Sequence, residues 1–420
     1  MKVKIKKIAK VVNGSTPSTK CPEYYDGDIL WITPKDLSEQ GEKYIYRGER
    51  TITQAGYNSC STEMIPKNNI LMSSRAPIGL LAINKVDCCT NQGFKNLVID
   101  KSKCHEEFLY YYLKYHIKEI EALGSGTTFK EVSKKSIEEY EIELPSLDIQ
   151  KKIIKVLTNL DEKIINNNKI NAELEEMAKT IYDYWFLQFE FPNEEGKPYK
   201  SSGGKMVWNE ELKREIPEGW EVKHVNEIID VKDGTHDSPK YTTKGKYLIT
   251  SKHLLPTGIN FKEANHITDE DFDAINQRSK VDRYDILFSM IGDVGTIYRI
   301  DEDNIDFAIK NVALYKTSQN IAFGSYLYIT LKSVLMDAYI YKVMSGSIQK
   351  FIGLRTLREM PIAYKDEFID RYYENTKCLF RKMTEIKKEN KELISLRDFL
   401  LPLLMNGQVR FKEVALAEDV

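Results

Sequence analysis

A chain that repeats itself once, at a nearly constant distance, is constrained to fold as two copies of one plan. Ile32-Thr33-Pro34-Lys35-Asp36-Leu37 returns as Ile249-Thr250-Ser251-Lys252-His253-Leu254, 217 positions on. Asn69-Ile70-Leu71-Met72-Ser73 returns as Asp285-Ile286-Leu287-Phe288-Ser289 at 216, and Gly79 matches Gly295 at the same offset. Gly126, Ile137, Glu139 and Ile142 match Gly346, Leu357, Glu359 and Ile362 at 220. Asn171-Ala172-Glu173-Leu174 matches Asn390-Lys391-Glu392-Leu393 at 219. Each match is weak, but together they are collinear, as a diverged tandem duplication requires. Two copies do not make a solenoid. They make a pseudo-dimer in one chain, for which pseudo-twofold symmetry is the natural arrangement. Length agrees, because 420 residues exceed what one core can hold.

Each copy has two parts. Residues 1–145 are punctuated by Gly and Pro and carry short strand-like runs at Lys4–Val12, Ile29–Thr33, Asn69–Met72, Gly79–Asn84, Leu97–Ile99 and Glu139–Leu144. A helix is predicted over Glu106–Leu123 and, in the second copy, near Tyr326–Met344. The fold class is α/β (α+β), with mixed α/β domains at 1–145 and 218–364. A helical segment follows each, at 146–190 and 365–406. A polar connector spans 191–217, and a tail 407–420. In the first helical segment apolar residues fall at Ile149, Ile153, Leu157, Leu160, Ile164, Leu174, Ala178, Ile181 and Trp185. Asn167 and Asn171 fill the missing seam positions, as a register-fixing polar layer does. The second runs Phe368, Tyr372, Leu379, Met383, Ile386, Asn390, Leu393, Leu396 and Leu400, with Gly407 as C-cap. The two helices either pair antiparallel as a coiled coil or cover separate domains. The shared Asn favours pairing.

Chemistry is sparse. There is no nucleotide-binding glycine loop, no Walker lysine, no Pro-Pro of an amino-methyltransferase motif and no Gly-x-Ser-x-Gly. The six histidines lack metal-ligand spacing, and the six cysteines lack CxxC spacing, so no metal, cofactor or disulfide framework is expected. No stretch reaches 18 apolar residues and no secretory signal is legible, so a cytoplasmic protein without membrane contact is expected. Net charge is −2, so nucleic acid, if bound, must meet local basic patches. A binder or scaffold fits better than an enzyme.

Polar loops recur at equivalent points of both copies. Those of the first offer Ser15, Thr16, Thr33, Lys35, Asp36, Ser74, Arg75, Asn91, Gln92 and Lys95. Those of the second offer Thr235, His236, Ser251, Lys252, His253, Ser289, Lys310 and Asn311. Arg, Lys, Asn and Gln read base edges, and Ser, Thr and backbone amides hold phosphates. Ordinary turns are the bland alternative for any one of them. Similar frames with different loops suit two different half-sites.

Several runs resemble the specificity subunit of type I DNA restriction–modification systems. They are Leu30-Trp31-Ile32-Thr33-Pro34-Lys35-Asp36-Leu37, Ser73-Ser74-Arg75-Ala76-Pro77-Ile78-Gly79, Thr90-Asn91-Gln92-Gly93-Phe94-Lys95, Ile216-Pro217-Glu218-Gly219-Trp220-Glu221 and Leu396-Arg397-Asp398-Phe399-Leu400-Leu401-Pro402. The resemblance implies two target-recognition domains separated by antiparallel helices, and a bipartite double-stranded DNA site whose gap the helices set. It implies docking of two methyltransferase subunits, which use S-adenosylmethionine, and of restriction–translocase subunits. The subunit itself is non-catalytic. The second copy departs from the Ser-Arg-x-x-x-Gly loop, with Ser289-Met290-Ile291-Gly292-Asp293 instead. A stand-alone bivalent DNA-binding protein and the recognition part of a single-chain restriction–methylation enzyme remain alternatives.

Overall fold

The structure, a computed structural model, describes residues 1–126, 130–255, 258–344, 350–409 and 411. The stretch from Gly346 to Gln349 and, of the expected tail, residues 410 and 412–420 lie outside the described residues. The chain divides into two compact units, one of residues 1–166 with 390–420, the other of 167–389.

In the first unit a five-stranded sheet runs in the order Ala9–Asn13, Lys95–Ile99, Ile70–Ser74, Ile78–Asn84 and Tyr44–Ile45. Ile70, Leu71 and Met72 are all buried, so the central strand packs on both faces. A three-stranded sheet holds Tyr25–Ile32 between antiparallel Arg50–Ile52 and parallel Cys89–Thr90. Lys2–Lys4 pairs with Glu141–Glu143. The second unit repeats this plan, its larger sheet with four strands instead of five. Val231–Asp233, Val312–Tyr315, Ile286–Ser289 and Ile297–Arg299 form the larger one. Lys246–Thr250 lies between antiparallel Asn265–Ile267 and parallel Phe307–Lys310. Glu221–His224 pairs with Pro361–Tyr364. The repeat reaches the backbone angles: Gly79 has φ +91° and Gly295 +96°, a conformation costly for any side chain.

Some boundaries differ from expectation. The helix expected over Glu106–Leu123 is two, Glu106–Tyr115 and Ile117–Ala122, broken at His116. Its second-copy counterpart is likewise Ile321–Leu331 and Val334–Val343. The connector is no loose tether. It holds a hairpin, Met206–Asn209 with Arg214–Pro217, and buries Phe191. The Phe191 ring stacks on Tyr199 and Trp220 at centroid distances of 4.7 and 5.4 Å. Aromatic residues in an otherwise polar stretch fix it to the second unit's core.

The long helices are Leu147–Tyr182, continued by a single π-turn over Asp183–Leu187, and Asp366–Met405. They pair with each other. In the first unit Arg397 donates to Asp161 at 3.0 Å, and Ile153, Ile154 and Leu157 share a core with Leu404 and Met405. In the second, buried Asn167 donates to Glu389 at 2.7 Å and Tyr372 donates to the Ala178 carbonyl at 3.0 Å. Rising numbers in one helix meet falling numbers in the other, so each stretch is antiparallel. The first heptad position, Ile149, does not join the seam. Ile149 is 42% exposed while Gln150 is buried, donating to Pro145 and Lys103 carbonyls and accepting from His105 N–H. At that entry the helix faces its own domain, not its partner helix. Leu396 too is exposed. The second helix ends as expected: Gly407 has φ +66°, Gly407 N–H donates to Leu404 O, and Gln408 N–H to Leu403 O.

Candidate nucleic-acid interface

In the first unit the segment from Thr90 to Gly93 gathers the three other polar loops. Ser15 N–H donates to Thr90 O at 2.9 Å, and the Trp31 indole donates to Ser15 O at 3.1 Å. Thr16 hydroxyl donates to Gln92 Oε1. Asn91 N–H donates to Ile32 O, which places Asn91 beside Thr33. Ser74 N–H donates to Gly93 O at 2.7 Å, and Arg75 Nε lies 3.8 Å from where a Gly93 side chain would begin. A Cβ on Gly14 would lie 1.9 Å from Asn91 O, so only glycine admits this approach of loop to loop.

Lys35 and Gln92 are exposed, and Ser15, Thr16, Thr33, Arg75 and Asn91 half-buried. Lys35 pairs with Glu49 at 2.9 Å and Glu39 at 3.6 Å. Such exposed pairs contribute little, so a phosphate can take the lysine over. The remaining residues of the set lie inside. Asp36 is a cap: its Oδ2 accepts Thr33 N–H and hydroxyl, both at 2.7 Å, and its Oδ1 accepts Glu49 N–H. Ser74 is buried, and Lys95, also buried, donates to Glu131 at 2.9 Å. The lysine's hydrogen bond, outweighing burial, holds the Glu131 carboxyl below the usual carboxylate range, and the Arg75 charge adds to this.

In the second unit the hub runs from Ile309 to Asn311. Thr235 N–H donates to Ile309 O, Asn311 N–H to Thr235 O, and Ser251 hydroxyl to Asn311 O at 2.9 Å. A Cβ on Gly234 would lie 2.3 Å from Ile309 O, repeating the approach at Gly14. The His236 ring lies between Asn311 Oδ1 at 2.9 Å and Asp233 Oδ2 at 2.7 Å. Lys310 donates to Ser238 at 2.6 Å. His236 and Lys252 are exposed. His253, in contrast, is buried and does what Asp36 does: its Nδ1 accepts Thr250 N–H at 3.0 Å. Burial, with Lys252 nearby, lowers its pKa. Ser289 is buried too, its hydroxyl donating to Asp293 O.

The sequence reading missed Glu131 and Arg278, which pairs with Asp233 and has a 59% exposed side chain. No repeat signal marks Arg278. It sits at the end of an eleven-residue helix, Asp269–Ser279, where the first copy has only Gln54–Asn58. It is, however, that helix's only Arg or Lys, after an acidic first turn.

Both clusters offer guanidinium, ammonium, carboxamide and hydroxyl groups on backbone-braced loops, and the second adds the His236 imidazole. That set suits hydrogen bonding to an anionic, edge-bearing polymer. Among the described residues no His/Cys/Asp/Glu group is arranged to hold a metal ion. Burial pushes the Cys88 and Cys104 thiols up to about 12, so both stay protonated at neutral pH and are poor nucleophiles. No helix among the described residues is long and apolar enough to cross a membrane.

Known proteins share this plan. The family model of the type I restriction modification DNA specificity domain matches residues 1–176. The chain is 34% identical to the type I restriction enzyme MjaIX specificity subunit of Methanocaldococcus jannaschii, over 98% of this chain and 94% of that protein. It is 24% identical to the type I restriction enzyme HindI specificity subunit of Haemophilus influenzae, over 70% of this chain and 74% of that one. Among solved structures, the type I restriction–modification S subunit from M. genitalium superimposes with a TM-score of 0.53 at 17% identity, covering 96% of this chain and 95% of that one.

Proposed function

The chain belongs to the type I restriction–modification DNA specificity subunits, the non-catalytic, sequence-recognising members of their complexes, and from that premise we propose that it reads a bipartite double-stranded DNA site. Each compact unit reads one half-site. The observation that carries this reading is the paired hub: in both units a glycine-backed strand end, Thr90–Gly93 or Ile309–Asn311, gathers loops of differing side chains on matching frames. Lys35, Arg75, Asn91, Gln92, Ser15, Thr16 and Thr33 face the first half-site. Thr235, His236, Ser251, Lys252, Lys310 and Asn311 face the second, with Arg278 added. Asp36, Ser74, Lys95, His253 and Ser289 hold the frames.

The helices set the gap between half-sites. The first has 36 residues, roughly 54 Å at 1.5 Å per residue, the length of about 16 base pairs. The same helices seat two methyltransferase subunits, which take the methyl group from S-adenosylmethionine, and the complex is completed by restriction–translocase subunits. Basic loops on an otherwise mildly acidic chain suit this division, because the partners then supply phosphate contacts of their own.

Replacing residues 1–145 by the same region of a relative tests the reading. Methylome sequencing of a host carrying the hybrid with the methyltransferase subunits is expected to show one half-site changed, with the other half-site and the gap kept. A change in both half-sites contradicts one reader per unit.

A further inference from the structure

Within the second unit a buried ionic joint ties the sheet of residues 286–315 to the second long helix. Asp301, 4% exposed, follows the strand Ile297–Arg299. Its Oδ1 accepts from Arg299 Nη2 at 2.8 Å and Nε at 3.1 Å, and from Thr384 hydroxyl at 2.9 Å. Its Oδ2 accepts from Lys387 Nζ at 2.7 Å. Arg299 reaches the helix as well, donating to Thr384 Oγ1 at 3.2 Å, with its guanidinium 4.8 Å from the Phe380 ring centre. Phe380, Thr384 and Lys387 are spaced i, i+4 and i+7, so the joint grips two turns of one helix face. Burial alone raises a carboxyl pKa. Here the charges of Arg299 and Lys387 outweigh it, and the Asp301 carboxyl stays below its ordinary value.

A hydrophobic contact between sheet and helix permits sliding and rolling, since it is non-directional. A buried carboxylate with every donor placed does not. Moving the helix by one position strands a buried charge, which is far costlier than any shift of apolar packing. A buried ion pair is weak evidence for stability, and its best-attested use is to fix register. If the second unit reads one half-site and the helices set the gap, the angle of the sheet on the helix decides where that half-site falls. We propose that Asp301, with Arg299, Thr384 and Lys387, is the positioning element that fixes the gap length this chain accepts, without touching DNA. This rests on the bipartite reading proposed above.

The test uses the full chain with its methyltransferase subunits and a pool of duplexes carrying both half-sites at every gap from short to long. Asp301→Asn and, separately, Lys387→Gln are compared with the native chain, with melting curves for each. Lys377→Gln, on the same helix but paired among the described residues with Glu374, is the control. Both joint variants are expected to select the same two half-sites while the penalty for a gap one base pair off falls about threefold or more. The control is expected to keep the native penalty. An unchanged penalty in a folded joint variant overturns the proposal, and so does loss of the second half-site itself, which marks a role in reading. If Asp301→Asn fails to fold, Lys387→Gln, whose side chain is 30% exposed, decides by the same criteria. A native chain with no preferred gap overturns the bipartite reading, and the proposal with it.

Discussion

Thr33 and Thr250 open the same turn in the two units, yet a carboxylate closes it in one and an imidazole in the other. Arg75 of the first unit stands, by the 216 offset, where the second has Ile291. Ile291 is no exposed cation: it bridges to Phe351. The second unit instead places Arg278 beside its hub, at the end of an eleven-residue helix where the first has five residues. The two units also differ in assembly. The second is one continuous run of chain, and the first needs residues 390–420 to be whole. What the duplication kept is the backbone bond and the strand register. What it let drift is the atom that makes the bond and the side that carries the charge.

The sharpest way to break the comparison is to end the chain after Glu389. This removes Leu404 and Met405 from the first unit's core and Arg397 from Asp161. Each large apolar residue lost from a core costs about 2–5 kcal/mol, against a total of about 5–15. Hydrogen exchange is expected to show the first unit unprotected and the second largely intact. Equal loss in both would mean that the units are not separately cooperative.

Next in size is Arg75→Ala. If the guanidinium meets a guanine edge, binding falls by about 1–3 kcal/mol at one position of one half-site. If it meets a phosphate, the loss is uniform across sequences and the salt slope falls by about one. Ile291→Ala, at the matching point, is expected to leave the salt slope unchanged. Titrations of duplexes varied one half-site at a time separate these outcomes.

The smallest effect concerns the caps. His253 has its pKa lowered in the fold, so protonation favours the unfolded chain. The stability this cap contributes is full above the unfolded value near 6.5 and is lost as pH falls below it. From pH 7 to 5 the His253 contribution adds an excess fall to the second unit's melting temperature, opposed by His224, whose hydrogen bond to Glu211 raises its pKa. His253→Asp should remove the excess, and Asp36→His should bring it to the first unit. Scanning calorimetry at the two pH values reads both.

Much of the fold is legible in the sequence. The offset matches locate Ile70–Ser74 and Ile286–Ser289, and the Asn residues of the helical segments foretell the polar layer at Asn167. Both work because burial and register constrain residue type. The connector is legible as a polar, turn-rich link but not as a packed segment, because Phe191 and Tyr199 are too few among Gly, Lys and Ser. The site was legible only as a set of loops. Pattern alone does not distinguish Asp36 or His253, turned inward as caps, from Lys35 or Lys252, turned outward one residue earlier. Arg278 was invisible because its helix has no full counterpart in the first copy.

The split composition of the first unit sets an order of events during synthesis. Residues 1–166 leave the ribosome first, but the helix that covers Ile153, Ile154 and Leu157 belongs to residues 390–405. Between them lie roughly 220 residues, which at 5–20 residues per second take on the order of 10–45 s to make. Throughout that interval the earliest domain carries an uncovered apolar stripe, while the later one can close as soon as its own residues emerge. The part of the chain made first is therefore the part finished last, and the one with the longest exposure to mispairing or to a waiting partner.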